Sequence, residues 1–377
     1  MNNQKSLKSI LLNRLAITLT ISLIFGFGCQ QPPKADETIK VDIAATSEPI
    51  NPYIYGQFIE HLGKCIYGGI WAEMLEDRKF YYPVTFEFNP WGTATDPQWK
   101  TGEYQILNAS PWQVIGDEKT VSMDTKSPFT GEHSPKIQIK GDGSSAGIKQ
   151  SGIEFLAGEK YIGRIVLAGD AATLPVIVQI TSEKGEAVKA EITEHSADFK
   201  TYPLEFTVPF ACKNGTVEIF STGKGSFKIG TLSLMPEDNI KGWRPEVVAL
   251  LKELNSPIYR WPGGNFVSGY NWRDGIGEMD KRPPRKNPAW KGVEHNDVGL
   301  HEYIQLMEII DAEAFVAVNT GLGTVQEVAE QIAYCRTGQD SPLGKLRAAN
   351  GSPESFNIKW WAVGNEMYGN WQLGHMP

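Results

Sequence analysis

Glu366 follows Asn365 directly and lies just past the apolar run 356–364, so its type and position suit it to moving a proton. A carboxylate at the mouth of a strand carrying Trp360 and Trp361 is expected in a partly apolar cleft. Poor hydration there favours the neutral carboxyl and raises its pKa. A carboxyl that keeps its proton near neutrality is a general acid, able to protonate a departing glycosidic oxygen. Viewed alone, Glu366 serves equally well as a helix cap or as the partner of a lysine. Asn365 offers an amide that can bond a sugar hydroxyl more tightly as the ring flattens toward an oxocarbenium ion, its plainer role being that of a turn residue. Three other apolar runs end in polar groups: 53–59 in Glu60-His61, 257–261 in Gly263-Gly264-Asn265, and 314–318 in Asn319.

These groups meet only if the runs lie parallel. From 238 onward helices alternate with short apolar strands. Helical patterning covers 243–254, with Pro245 near its first turn, then 299–312 and 324–335; strands are expected at 257–261, 314–319 and 356–364. A βαβα order predicts parallel strands with helices outside, and polar groups at the C-terminal strand ends are the active face of a (β/α)8 barrel. A doubly wound sheet would place ligands beside a glycine-rich phosphate loop, and no G-x-G-x-x-G follows any of these runs.

Between 105 and 237 the texture differs. KIQIK (136–140), YIGRIVLAG (161–169), PVIVQIT (175–181), PLEFTVP (203–209) and TVEIF (216–220) alternate with period two between turn residues, which predicts an antiparallel β-sandwich. The fold expected is therefore α/β, a TIM barrel at 39–104 and 238–377 of which about four strands are present, interrupted by an inserted all-β sandwich at 105–237.

The ordered motifs GQFIEHLGKCIYGGI (56–70), YRWPGGNFVSGYNWRDGIG (259–277), RPPRKNPAWKGVEHNDVGLHEY (282–303), VAVNTGLGT (316–324) and WWAVGNEMYGNWQLGH (360–375) together resemble glycoside hydrolase family 51, the retaining α-L-arabinofuranosidases. The resemblance covers roughly 39–85 and 240–377. It implies that Glu366 is the acid/base, that Glu60, Asn265 and Asn365 hold hydroxyls of an arabinofuranosyl unit, and that Trp290 lines the cleft toward the leaving group. A buried ion pair for Glu60, a turn for Asn265 and a core position for Trp290 are the alternatives, while Trp371 and His375 are expected to pack their loop. Lys64, Cys65 and His301 depart from the family pattern at positions without chemistry. The insertion is a larger departure; it is similar to jelly-roll carbohydrate-binding modules, and sugar binding and a spacer or cleft wall stand as equal roles for it.

A retaining enzyme needs a second carboxylate as nucleophile, about 5–5.5 Å from the first. Nothing in the matched motifs supplies it, so the sequence reads as the front part of a longer enzyme, itself inactive. The implied reaction removes non-reducing-end arabinose from arabinan or arabinoxylan without metal or organic cofactor. An endo-glycanase on glucan or xylan, and a non-catalytic sugar-binding surface lipoprotein, are the competing functions.

Composition agrees with an exported sugar-active protein. A net charge of −8 over 377 residues argues against nucleic acid as partner, and 11% aromatic residues suit either a large core or the stacking of sugar rings. Lys5, Lys8 and Arg14 precede an uncharged run, 15–28, with the length of a signal-peptide core. Cys29 follows it as in bacterial lipoproteins, so 1–28 reads as a leader and Cys29 as a lipidated N-terminus on the periplasmic or outer side of an envelope, with simple secretion as the alternative. Membrane contact is then through the lipid alone, and a homo-oligomer is compatible with this reading. Cys65, Cys212 and Cys335 have neither disulfide-framework nor zinc spacing.

Overall fold

The computed structural model describes residues 41–95 and 103–375; the leader and Cys29 lie outside the described residues. Before Asn51 the described residues contain no helix or strand. Residues from Asn51 onward cluster as one compact unit.

Four parallel strands, Gln57–Phe58, Ile258–Trp261, Glu313–Val318 and Ile358–Val363, lie side by side in sequence order. This order contains no reversal, hence no switch point of the doubly wound kind. The first strand is shorter than its apolar run suggests, because Pro52–Tyr55 forms a 3-10 turn that Asn51 caps through the Tyr53 amide. Helix Pro245–Leu254 begins with proline and ends at Asn255 in the left-handed region, and helix Leu300–Ile310 ends likewise at Asp311. Helix Val325–Arg336 starts with a capping box between Thr324 and Glu327. A further helix, Pro342–Ala349, precedes the fourth strand and was not expected, since its polar, alanine-rich sequence has little apolar periodicity. Tyr303 ties helix to sheet: its hydroxyl donates to the Tyr259 carbonyl (2.5 Å) and accepts from the Phe315 amide (2.9 Å), while its ring stacks on Trp261.

Two five-stranded antiparallel sheets lie between the first two parallel strands in sequence. All five alternating runs read from the sequence are strands, joined by others including Ala146–Phe155 and Lys224–Pro236. Ile148, Val178 and Ile219 of one sheet share a core with Ile137, Leu167 and Phe227 of the other. That core also takes in Leu75, Phe80 and Val84, from upstream of 105. Polar bonds hold this upstream segment in place: Gln150 accepts from the Glu76 amide (2.9 Å) and donates to the Glu76 carbonyl (2.8 Å), and the Trp112 indole donates to the Asp77 carbonyl (3.2 Å). Removing buried Leu- or Phe-sized side chains costs about 2–5 kcal/mol each. A fragment spanning 105–237 is therefore expected to unfold at much lower denaturant than one spanning 72–237; equal midpoints would show that 72–84 contributes nothing to this core.

Charged groups fasten the antiparallel sheets to the segment after the second parallel strand. Arg78, fully buried, donates to Asp297 (2.6 Å from both Nε and NH2), to Asp280 (2.8 Å) and to Thr231 (2.9 Å). Arg164 of strand Lys160–Gly169 also holds Asp280, at 2.5 and 2.7 Å. Lys79 reaches Asp297 at 2.7 Å and donates to the carbonyls of Met279 and His295. Three free cysteines are described, Cys212 and Cys335 buried and Cys65 exposed.

Candidate active site

The C-terminal ends of the parallel strands bring Glu60, Asn265 and Asn365 together. Glu60 is 7% exposed, and its Oε1 accepts from the Phe266 amide (3.0 Å) and the Trp290 indole (2.8 Å). With that oxygen engaged twice, Oε2 remains as the acceptor for a hydroxyl. Gly263 makes the approach feasible: a Cβ there would stand 2.2 Å from Glu60 Cγ, and its φ of +137° suits only glycine. Asn265 Oδ1 accepts from Asn365 Nδ2 (3.2 Å) and Gln372 Nε2 (3.0 Å), so Asn265 offers a ligand its NH2 group. Asn365 Oδ1 accepts from Arg260 (2.9 Å). The expected residues thus form two hydrogen-bonded groups, Glu60 with Trp290 and Asn265 with Asn365, joined where the Phe266 amide next to Asn265 bonds Glu60, and Trp290 is half-buried.

Glu366 is placed differently from the expectation. It is exposed, adopts a left-handed φ of +45°, and is reached by the Tyr368 hydroxyl at 3.4 Å. The two tryptophans do not form its cleft. Neighbouring strand residues point to opposite faces, and the Trp360 indole reaches back to Glu313 at the start of the third parallel strand (2.7 Å), while Trp361 packs against the core behind the sheet. A left-handed backbone at a non-glycine residue costs of order 1 kcal/mol or more. Asn319 stays structural, its Oδ1 accepting from the Gly321 and Gly323 amides and its Nδ2 donating to the Tyr270 carbonyl. Glu302 caps its helix and pairs with buried Arg282 at 2.9 Å. Trp371 is half exposed and meets Tyr368 edge-on, as a loop-packing residue does.

Three contributors escaped the sequence reading. Arg260 is the penultimate residue of the second strand; burial lowers its pKa, opposed by the nearby charges of Glu60 and Glu366. Gln372, 5% exposed, donates to the Asn365 carbonyl (2.6 Å) as well as to Asn265, and its place seven residues past Asn365 in a glycine-rich loop gave no periodic signal. The third is Glu294, the partner of His61. The His61 Nε2 accepts from the Trp261 indole (3.0 Å), so its proton sits on Nδ1 and is donated to Glu294 (2.6 Å). Burial alone would raise the Glu294 carboxyl, but His61, the Tyr67 hydroxyl and the Asn296 amide bring it below the usual range. Asn287 in turn donates to the His61 carbonyl (2.7 Å), fixing the loop that presents Trp290.

The C-terminal end of a parallel sheet thus gathers a carboxylate, amides and a tryptophan on an α/β scaffold, the place where such folds bind ligands. The family described as "Alpha-L-arabinofuranosidase 1 domain" matches residues 250–373. A probable α-L-arabinofuranosidase C of Aspergillus fumigatus is 42% identical over 141 residues, covering 37% of this chain and 28% of that protein. An intracellular exo-α-(1→5)-L-arabinofuranosidase of Acetivibrio thermocellus is 44% identical over 134 residues, covering 36% and 27%. The chain thus spans little more than a quarter of the length of these curated relatives. In fold it is similar to an arabinose-bound GH51 α-L-arabinofuranosidase, with a TM-score of 0.66 and 21% identity over 83% of this chain and 53% of that one. Through this matched segment the chain is similar to the α-L-arabinofuranosidases.

Proposed function

We propose that the protein acts as an exo-α-L-arabinofuranosidase that removes non-reducing-end arabinofuranosyl units from arabinan- or arabinoxylan-type polysaccharides with retention. The observation that carries this reading is the direct bonding of Asn265 and Asn365 beside the Glu60–Trp290 pair, with Asn265, Trp290 and Asn365 inside the family-matched segment. Glu60 Oε2 and the amides of Asn265 and Asn365 bind the sugar hydroxyls, and Trp290 stands on the leaving-group side. Glu366 donates a proton to the departing oxygen and then takes one from water. Neither Glu60 nor Glu294 is assigned as nucleophile, because each is committed to hydrogen bonds that fix the face. In this reading the four strands belong to a (β/α)8 barrel, and the antiparallel sheets form an inserted jelly-roll domain at about 105–237.

The discriminating assay sets an aryl α-L-arabinofuranoside and arabinoxylan against unsubstituted xylan and β-glucan, using the full-length gene product. Release of arabinose without backbone cleavage is expected. Shortening of unsubstituted backbone would replace this reading with an endo-glycanase.

A further inference from the structure

The segment that leads into the antiparallel sheets stands beside the candidate site and presents aromatic rings. Trp91–Thr95 pairs antiparallel with Glu103–Leu107. The base of this hairpin is fixed where the Pro90 carbonyl accepts from the Asn108 amide (2.8 Å) and where the Tyr82 hydroxyl donates to the Leu107 carbonyl (2.9 Å). Trp91 is 41% exposed, and it follows Phe86 and Phe88, which are also exposed. Trp91, Ile106 and Leu107 line one side of a cavity of about 100 Å³ whose other side is formed by His61, Lys64 and Trp290.

Trp290 connects that cavity to the site, because its indole is bonded to Glu60. Among the described residues from 106 to 237, no tryptophan, tyrosine or phenylalanine is exposed. The exposed rings of this region are therefore those of the junction, and the rings of the two antiparallel sheets are at most partly exposed. Tryptophan is suited as a platform for a sugar: it combines a broad apolar face with a polar edge. The cavity is well below the roughly 300 Å³ at which pockets begin to enclose whole ligands, so a ring would lie across its mouth with one edge inserted.

We infer that Trp91 forms, together with Trp290, a subsite for the sugar on the leaving-group side of the scissile bond, so that the hairpin leading into the inserted region acts as a wall of the cleft. The ligand class is a neutral pentose or hexose ring linked to the terminal arabinofuranosyl unit. The inference rests on the arabinofuranosidase reading, and the test separates the two.

Calorimetric titration of the chain and its variants with L-arabinose, and with a xylo-oligosaccharide bearing one arabinofuranosyl branch, supplies the readout. In the unaltered protein the branched oligosaccharide is expected to bind more tightly than arabinose. Trp91→Ala should weaken oligosaccharide binding roughly 3- to 10-fold, the scale of one aromatic contact, and leave arabinose binding unchanged; Trp91→Phe should restore most of the difference. Glu60→Gln should weaken both ligands. Unchanged oligosaccharide affinity in Trp91→Ala, or equal loss for both ligands, would overturn the subsite while leaving the arabinofuranosidase reading intact. Failure of the unaltered protein to bind either sugar would overturn both.

Discussion

In the full-length gene product, replacing Glu366 with alanine is expected to slow hydrolysis of natural arabinofuranosides about 10²- to 10⁴-fold, the usual contribution of a positioned general acid–base group. Substrates with poor leaving groups need protonation to depart and should lose most. Activated aryl arabinofuranosides should keep much of their first step, but the glycosyl-enzyme should accumulate, because water has also lost its base. Azide is small enough to occupy the space of the missing carboxylate and needs no deprotonation. It should therefore restore turnover and give a product of retained configuration. A nucleophile variant behaves oppositely: it loses both kinds of substrate, and azide rescue gives inverted product. The assignment rests on the place of Glu366 in the family-matched segment, since its side chain is exposed. Glu366 lies just beyond Asn365, near the Arg260 guanidinium, on a strained left-handed backbone. Equal loss on natural and activated substrates, with no azide rescue, would remove the assignment.

The sequence revealed the strand ends more reliably than what surrounds them. Glu60, Asn265 and Asn365 could be found because each follows a short apolar run and such runs lie parallel when helices separate them. The environment of Glu366 is not legible in its neighbours because adjacency in sequence is not adjacency in space; the alternation of a strand sends Trp360 to Glu313 and Trp361 to the core. His61 and Glu294 are separated by 233 positions and meet only through the tertiary fold, so no local spacing announces the pair. Gln372 was hidden for a similar reason, since its role depends on a loop conformation and not on a repeat. The alternating strands were legible throughout, yet the core they share reaches back to Leu75, Phe80 and Val84, across a stretch without strand texture. Burial of these three residues is a property of the assembled core, to which period-two patterning is blind.

Removing the Arg78 guanidinium, as in Arg78→Met, is expected to destabilise the protein by about 3–5 kcal/mol, the cost of leaving a buried charge without its partner. Arg78 is fully buried, and its bonds to Asp297 and Asp280 join the antiparallel sheets to the segment that also carries Trp290 and Glu294. Burial by itself would raise the Asp297 carboxyl, but Arg78 and Lys79 hold it far below the usual range. A carboxyl with a depressed folded pKa contributes stability that is complete above its unfolded value of about 3.9 and is lost as pH falls. Arg78→Met should therefore lower the denaturant midpoint most at neutral pH, and the difference from the unaltered protein should shrink below about pH 4. Burial also lowers Lys79 to about 8, with Asp297 opposing that fall, so Lys79 is a weaker substitute for Arg78 above that pH. Two apolar replacements together, Arg78→Met with Asp297→Leu, should recover part of the loss, because the uncompensated carboxylate is then gone. A change of less than about 1 kcal/mol in Arg78→Met, the scale of a surface pair, would show that this network does not hold the sheets to the site.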